Sequence, residues 1–264
     1  MGPKKKVLLF SIGAAMGVAT LSFSYNSWLK SKQPDAVAEH AIADIKEGEL
    51  SYTNKCGWVD WGHASGTGPK NLVDHVLAEH PSPLTDIEKQ QVEEYLLTHN
   101  LSAKDYFPVT YSQQMQRKVG IKFTAGTKSV YLVKRGLPKK IREGMAWRIF
   151  KEVSEHFETL QGSPPYNSVS RVAASSYGIG DLNGDKLAFY SALRGYTKSE
   201  LEEKCGGSFS PKESLKMLEQ QKNNPPARDK WRKMPQLVTV PYIKRGMVLT
   251  VVKDGSYQSL DIKD

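Results

Sequence analysis

The sequence predicts an α+β protein, with helices packed on a small, mainly antiparallel sheet and one N-terminal hydrophobic helix ahead of them. Three observations carry this. Ile141, Met145, Ile149, Val153, Phe157 and Leu160 repeat every three or four residues, as the buried face of one long helix does. VTYSQQM, VGIKF and SVYLVK, between Phe107 and Val133, are rich in β-branched and aromatic residues, as strands are. Lys4, Lys5 and Lys6 precede 23 charge-free residues, Val7 to Leu29.

That leader has two readings. As an uncleaved helix it is long enough for a hydrocarbon core of roughly 30 Å. Tyr25 and Trp28 then stand where interfacial aromatics stand, with the lysines on the inner side. As a signal peptide, Val7 to Ala15 is its apolar segment and Gly17 to Ala19 its small-residue cleavage site. Both export the remainder of the chain.

The elements follow in order. Residues 31–53 are small, charged and weakly periodic, which suits a stalk. NKCGWVDWGHA, 54–64, is an apolar and aromatic block expected to form a strand or tight turn ending near His63. A short helix is expected from Pro69 to about His80, broken by the prolines at 81 and 83. Thr85 with Glu88 three residues on is a capping box for a helix to Asn100. The β-like runs come next, with Ala125-Gly126-Thr127 as their turn. Pro138 opens the long helix and Gly162 ends it. Further helices are expected over Leu187 to Leu193 and Lys198 to Lys204, with Asp185 as the cap of the first. Residues 206–235, rich in Gly, Pro, Lys and Gln, form an extended linker with a helical stretch near Pro211 to Gln221. The tail, 236–264, offers short strands packed on the main domain (54–205): LVTVPYI, MVLTVV and YQSLDI. Asp254-Gly255 is a hairpin turn between the last two.

Apolar residues at 39% and charged residues at 25% exclude wholesale disorder and a polytopic membrane protein. The net charge is +9, of which six remain after the three leading lysines. Basic residues fall in scattered pairs such as Lys134-Arg135 and Lys244-Arg245, with no nucleic-acid motif beside them. The expected partners are the cytoplasmic membrane, through residues 7–29, and anionic envelope polymer or lipid headgroups.

Three constellations could carry chemistry. Cys56 and Cys205 are the two cysteines; in an oxidising compartment a lone pair is most simply a disulfide. Otherwise Cys205 or Cys56 is a thiol nucleophile, with His63 as its base. Asp60 and His63 can converge through a turn at Gly62, giving an oriented general base or two metal ligands. Glu152 and His156, one turn apart on the long helix, have ligand spacing, but nothing ties them to His63, so no metal or cofactor is assigned. Asp181, Asn183 and Asp185 have the odd spacing of a calcium loop, yet Lys186 stands where its glycine belongs and Ala192 where its bidentate acid belongs.

In sequence order, CGWVDWGHA, VTYSQQM, IFKEVSEHFETLQG and SSYGIGDLNGDKLAFYSAL resemble a group of exported bacterial proteins of uncharacterised function. The likeness covers roughly residues 54–205. It implies an envelope protein and assigns no catalytic residue. Two functions are therefore expected. One is an exported, membrane-anchored hydrolase of an envelope amide or ester, centred on His63 and Asp60 with Cys205 as a possible nucleophile. The other is a non-catalytic binding or structural protein of the envelope with a Cys56–Cys205 disulfide.

Overall fold

Val, Ile, Thr and Tyr crowd residues 106–134, and two long strands result. The computed structural model describes residues 39–65, 68–119, 121–161, 180–221, 240–241, 243–244, 246–252 and 257–261. In it β3 (Tyr106–Val119) and β4 (Ile121–Lys134) pair antiparallel over their whole length, from Tyr106↔Lys134 to Val119↔Ile121. The turn expected at Ala125-Gly126-Thr127 is instead strand, and the chain reverses between Val119 and Ile121. A turn-like tripeptide is accommodated because Gly126 fits where a Cβ would lie 2.4 Å from the Gln113 carbonyl oxygen.

The other edge of β4 is shared. β5 (Val248–Val252) pairs with Val130–Val133, and β6 (Tyr257–Asp261) with Lys122–Gly126, both antiparallel. A separate two-stranded sheet joins β1 (Leu50–Thr53) to β2 (Gly57–Asp60). The chain is thus a mixture of helices and small antiparallel sheets.

Strand alternation divides the larger sheet. Phe107, Val109, Tyr111, Tyr131 and Val133 face α5 (Lys139–Gln161), whose Met145, Ile149, Phe150 and Val153 are fully buried. α3 (Gly68–Ala78) adds Leu72, Val73 and Val76, and α6 (Asp181–Arg194) adds Phe189 and Tyr190, to the same core. On the opposite face Val130 and Leu132 meet Val92 of α4 (Asp86–Thr98). The capping box of α4 is present: Thr85 accepts from the Glu88 backbone, and Glu88 accepts from the Thr85 backbone at 2.8 Å. Arg194, ending α6, makes two 2.8 Å hydrogen bonds to the carboxylate of Glu143 on α5.

The stalk reading gives way from residue 39 onward. α1, helical over 39–47, buries Ala41 and Ile45 with Leu50 and Trp58, and Leu218 of α8 (Pro211–Gln221) closes that cluster. The spacing of Ala41 and Ile45 places both on one helical face, so even this charged segment has a buried side. α7 (Lys198–Lys204) lies where expected. The hydrophobic leader, residues 222–235 of the linker, the start of the tail and the Asp254-Gly255 turn lie outside the described residues. Among the described residues no helix is long and apolar enough to cross a membrane.

Candidate functional site

The aromatic block forms a corner. β2 ends at Asp60, and α2 (Trp61–Ala64) begins at once. Asp60 is its N-cap, with Oδ1 accepting from the His63 backbone N–H at 2.9 Å. Trp61 is buried, which leaves the His63 ring on the half-exposed side of the turn.

α6 completes the site, and it starts earlier than its apolar residues indicate. Gly180 is its N-cap, at φ +96°, and Asp181, Asn183 and Asp185 are helical. Asp185 is therefore inside the helix and is not its cap. Two glycines let α6 approach the corner backbone to backbone. A Cβ on Gly184 would lie 2.3 Å from the Asp60 carbonyl oxygen and 2.8 Å from His63 Cβ. The Gly180 carbonyl accepts from the Asp60 N–H at 3.3 Å. Between the glycines, Asn183 Nδ2 donates to the carbonyls of Cys56 (3.1 Å) and Trp58 (2.8 Å).

Asp181 and Asp185, one helical turn apart, are thereby brought to His63. His63 Nδ1 lies 3.2 Å from Asp185 Oδ1, and Nε2 lies 4.0 Å from Asp60 Oδ2. Gln113, on β3, presents Nε2 to Asp185 Oδ2 (3.4 Å) and to Ser154 Oγ on α5 (3.0 Å). Asp60, His63 and Asp181 each offer a ligand atom within 4.8 Å of the others. The Asp185 side chain is 9% exposed, Asp60 22% and His63 35%, so the cluster opens to solvent at the Asp60–His63 end.

Electrostatics follow from this crowding. Desolvation disfavours a charged His63. The hydrogen bond to Asp185 and the fields of Asp181, Asp185 and Asp60 outweigh it, and the pKa rises well above the ordinary histidine value. Burial pushes the Tyr111 hydroxyl up as well, and the Asp185 charge adds to that rise.

The expected site residues separate accordingly. Cys56 and Cys205 are bridged, with sulfurs 2.13 Å apart and Cα atoms 5.2 Å apart. Cys205 is fully buried among Val59, Trp61, Leu187 and Leu201. The thiol-nucleophile reading is thus corrected, because both sulfurs are committed to each other. Asp60 and His63 do converge, but Asp185 is the carboxylate hydrogen-bonded to the ring. Glu152 lies instead near β5, 3.5 Å from Thr250 Oγ1. Sequence reading weighed Asp181 and Asp185 only as a calcium loop or a helix cap and did not join them to His63. The available signal was their spacing of four, which a helix turns into one face.

No protein-family model matches the chain. Comparisons with curated proteins and with solved structures give no match either.

Proposed function

We propose that this is an exported envelope protein, held at the outer side of the cytoplasmic membrane by residues 7–29, that hydrolyses an amide or ester of the envelope at the Asp60–His63 cluster. One observation carries the reading. Asp185 holds Nδ1 of His63, so Nε2 is the ring atom left toward Asp60 and the open side. A carboxylate-held imidazole beside a second carboxylate is an arrangement that gives and takes protons during acyl transfer, and with its pKa raised the ring serves as acid near neutral pH and as base as pH rises through its folded value. With the sulfurs bridged, neither thiol is the attacking group, and water at the open side takes that part in this reading. The half-exposed Asp60–His63 end gives that water and a polymer substrate access. A disulfide between residues 149 apart supports an oxidising compartment. The basic surface suits contact with anionic polymer or headgroups.

A second reading has its own support. Asp60 Oδ1 and Asn183 Nδ2 are engaged with backbone groups, as in a packed structural joint of a non-catalytic envelope protein.

The test uses the full chain, purified with its bridge intact, against isolated envelope polymer and chromogenic esters. His63→Gln and Asp185→Asn are expected to lower turnover by about 100-fold or more, the scale of a lost proton-transfer group. Both variants should still unfold cooperatively, with melting temperatures lowered only by the loss of the His63–Asp185 contact. Turnover unchanged in both variants, or no hydrolysis by the parent, favours the structural joint. Cell fractionation addresses location: recovery in the cytosol with two free thiols would sink the envelope assignment.

A further inference from the structure

We propose that Asp60, His63 and Asp181 bind one divalent transition cation, of the Zn2+ or Mn2+ type, with water in its open positions. The proposal changes His63's part in the hydrolytic reading of the same cluster, from proton carrier to ligand, with the ion-bound water as the attacking group, and it rests on that reading for the water's purpose.

The donor set points to such an ion. Two carboxylates and one imidazole suit Zn2+ and Mn2+, whereas Ca2+ and Mg2+ favour oxygen alone. Three protein ligands with a position left open is the pattern of a catalytic centre, and a fully protein-ligated ion is that of a structural one. The ligand atoms already lie within 4.8 Å of each other. Ligands about 2.1 Å from one ion stand about 3.4 Å apart, so a closure of up to about 1.4 Å completes the set. The half-exposed Asp60 and His63 side chains have the room to make it. The two Asp60 oxygens divide the work: Oδ1 stays on the α2 backbone, and Oδ2 faces Nε2. Asp185 on Nδ1 is the outer carboxylate that metal-bound histidines usually carry.

A separate observation lies beside the cluster. Gln113, whose amide nitrogen lies against Asp185, has a buried Oε1 with no hydrogen-bond partner. Thr127 is 1% exposed, stands opposite Gln113 in the β3–β4 register, and has an unpartnered Oγ1. Ser129, two residues on and on the same face of the sheet, is also 1% exposed and has an unpartnered Oγ. Buried polar atoms of this kind are ordinarily satisfied by ordered water or a ligand. Gln113, Thr127 and Ser129 share the face of the β3–β4 pair from which Gln113 reaches Asp185.

The experiment is metal uptake by the full chain, stripped with chelator and dialysed, with its disulfide intact. Titration with Zn2+ and with Mn2+ should give one equivalent per chain for at least one of them. Asp181→Asn and His63→Gln should each weaken it by about 100-fold or more, and Asp185→Asn by about 10- to 100-fold. Glu47→Gln, in the exposed Asp44–Glu47–Glu49 group, should change nothing. Near-UV circular dichroism reports folding; if Asp181→Asn does not fold, His63→Gln on its half-exposed ring decides. Uptake of neither ion, or uptake that ignores both variants and yields to Glu47→Gln, overturns the site. Hydrolysis persisting at full rate in stripped protein overturns the cation's part in the reaction and leaves the hydrolytic reading standing. An ion held by these residues without hydrolysis supports the site and overturns the hydrolytic reading.

Discussion

His63 is the residue whose behaviour follows most directly from its neighbours. An unfolded histidine gives up its proton near pH 6.5, and the folded one keeps it to higher pH because Asp185, Asp181 and Asp60 surround it. Between those two values the folded state holds a proton that the unfolded state has lost. The stability this provides is therefore complete below about pH 6.5 and disappears as pH rises through the folded value. In chelator-treated protein, an NMR titration of the ring should show this upward displacement. Denaturation midpoints between pH 6 and 9 should fall more steeply for the parent than for His63→Gln. A ring titrating at or below 6.5 would contradict the carboxylate cage. Tyr111 sits near the same charge, and its hydroxyl should remain protonated throughout that range.

At the scale of elements, the close approach of α6 to the β2–α2 corner is the feature most exposed to test. Gly184→Ala would place a methyl group 2.3 Å from the Asp60 carbonyl oxygen. Backbone on one side and a helix on the other leave little to yield, so a loss of about 3 kcal/mol or more is expected in chemical denaturation, the upper end for overpacking. The His63–Asp185 contact should open with it, and the raised histidine pKa should drop toward 6.5 in the same variant. A neutral substitution would mean the helix stands farther off than described. Much of the surrounding fold was legible. α5 shows its period over six apolar residues, and α4 carries its cap in Thr85 and Glu88. β3 and β4 are evident from their composition. The failures have physical reasons. Gly126 looks like a turn residue, yet it serves a crowded strand position. The three polar residues Asp181, Asn183 and Asp185 hide the first turn of α6, because Gly180 caps without a side chain. Over residues 39–53 the buried side chains, Ala41, Ile45, Leu50, Ser51 and Thr53, are mostly small or polar, so the sequence conceals a packed helix and strand. The site was half legible. Asp60 and His63 are three residues apart and visible together, whereas Asp181 and Asp185 join them only through tertiary docking.

For the whole molecule, the bridge between Cys56 and Cys205 governs stability. Closing a loop of this length removes chain entropy worth about 5 kcal/mol from the unfolded state. Reduction, or a Cys56→Ala/Cys205→Ala double substitution, should lower the unfolding free energy by several kcal/mol. It should also loosen the corner that presents His63, since Asn183 hydrogen-bonds the Cys56 carbonyl. Equal stability with and without reductant would show that the bridge is dispensable. The same cross-link makes residues 56–205 a covalent ring, with β1 laid against it from before and β5 and β6 from after. A protease that nicks the exposed turn at Lys104 therefore cuts the thread without parting it. The two pieces travel as one band on a gel run without reductant and separate only when thiol is added, so the molecule tolerates a severed backbone where an unbridged chain of this size would come apart.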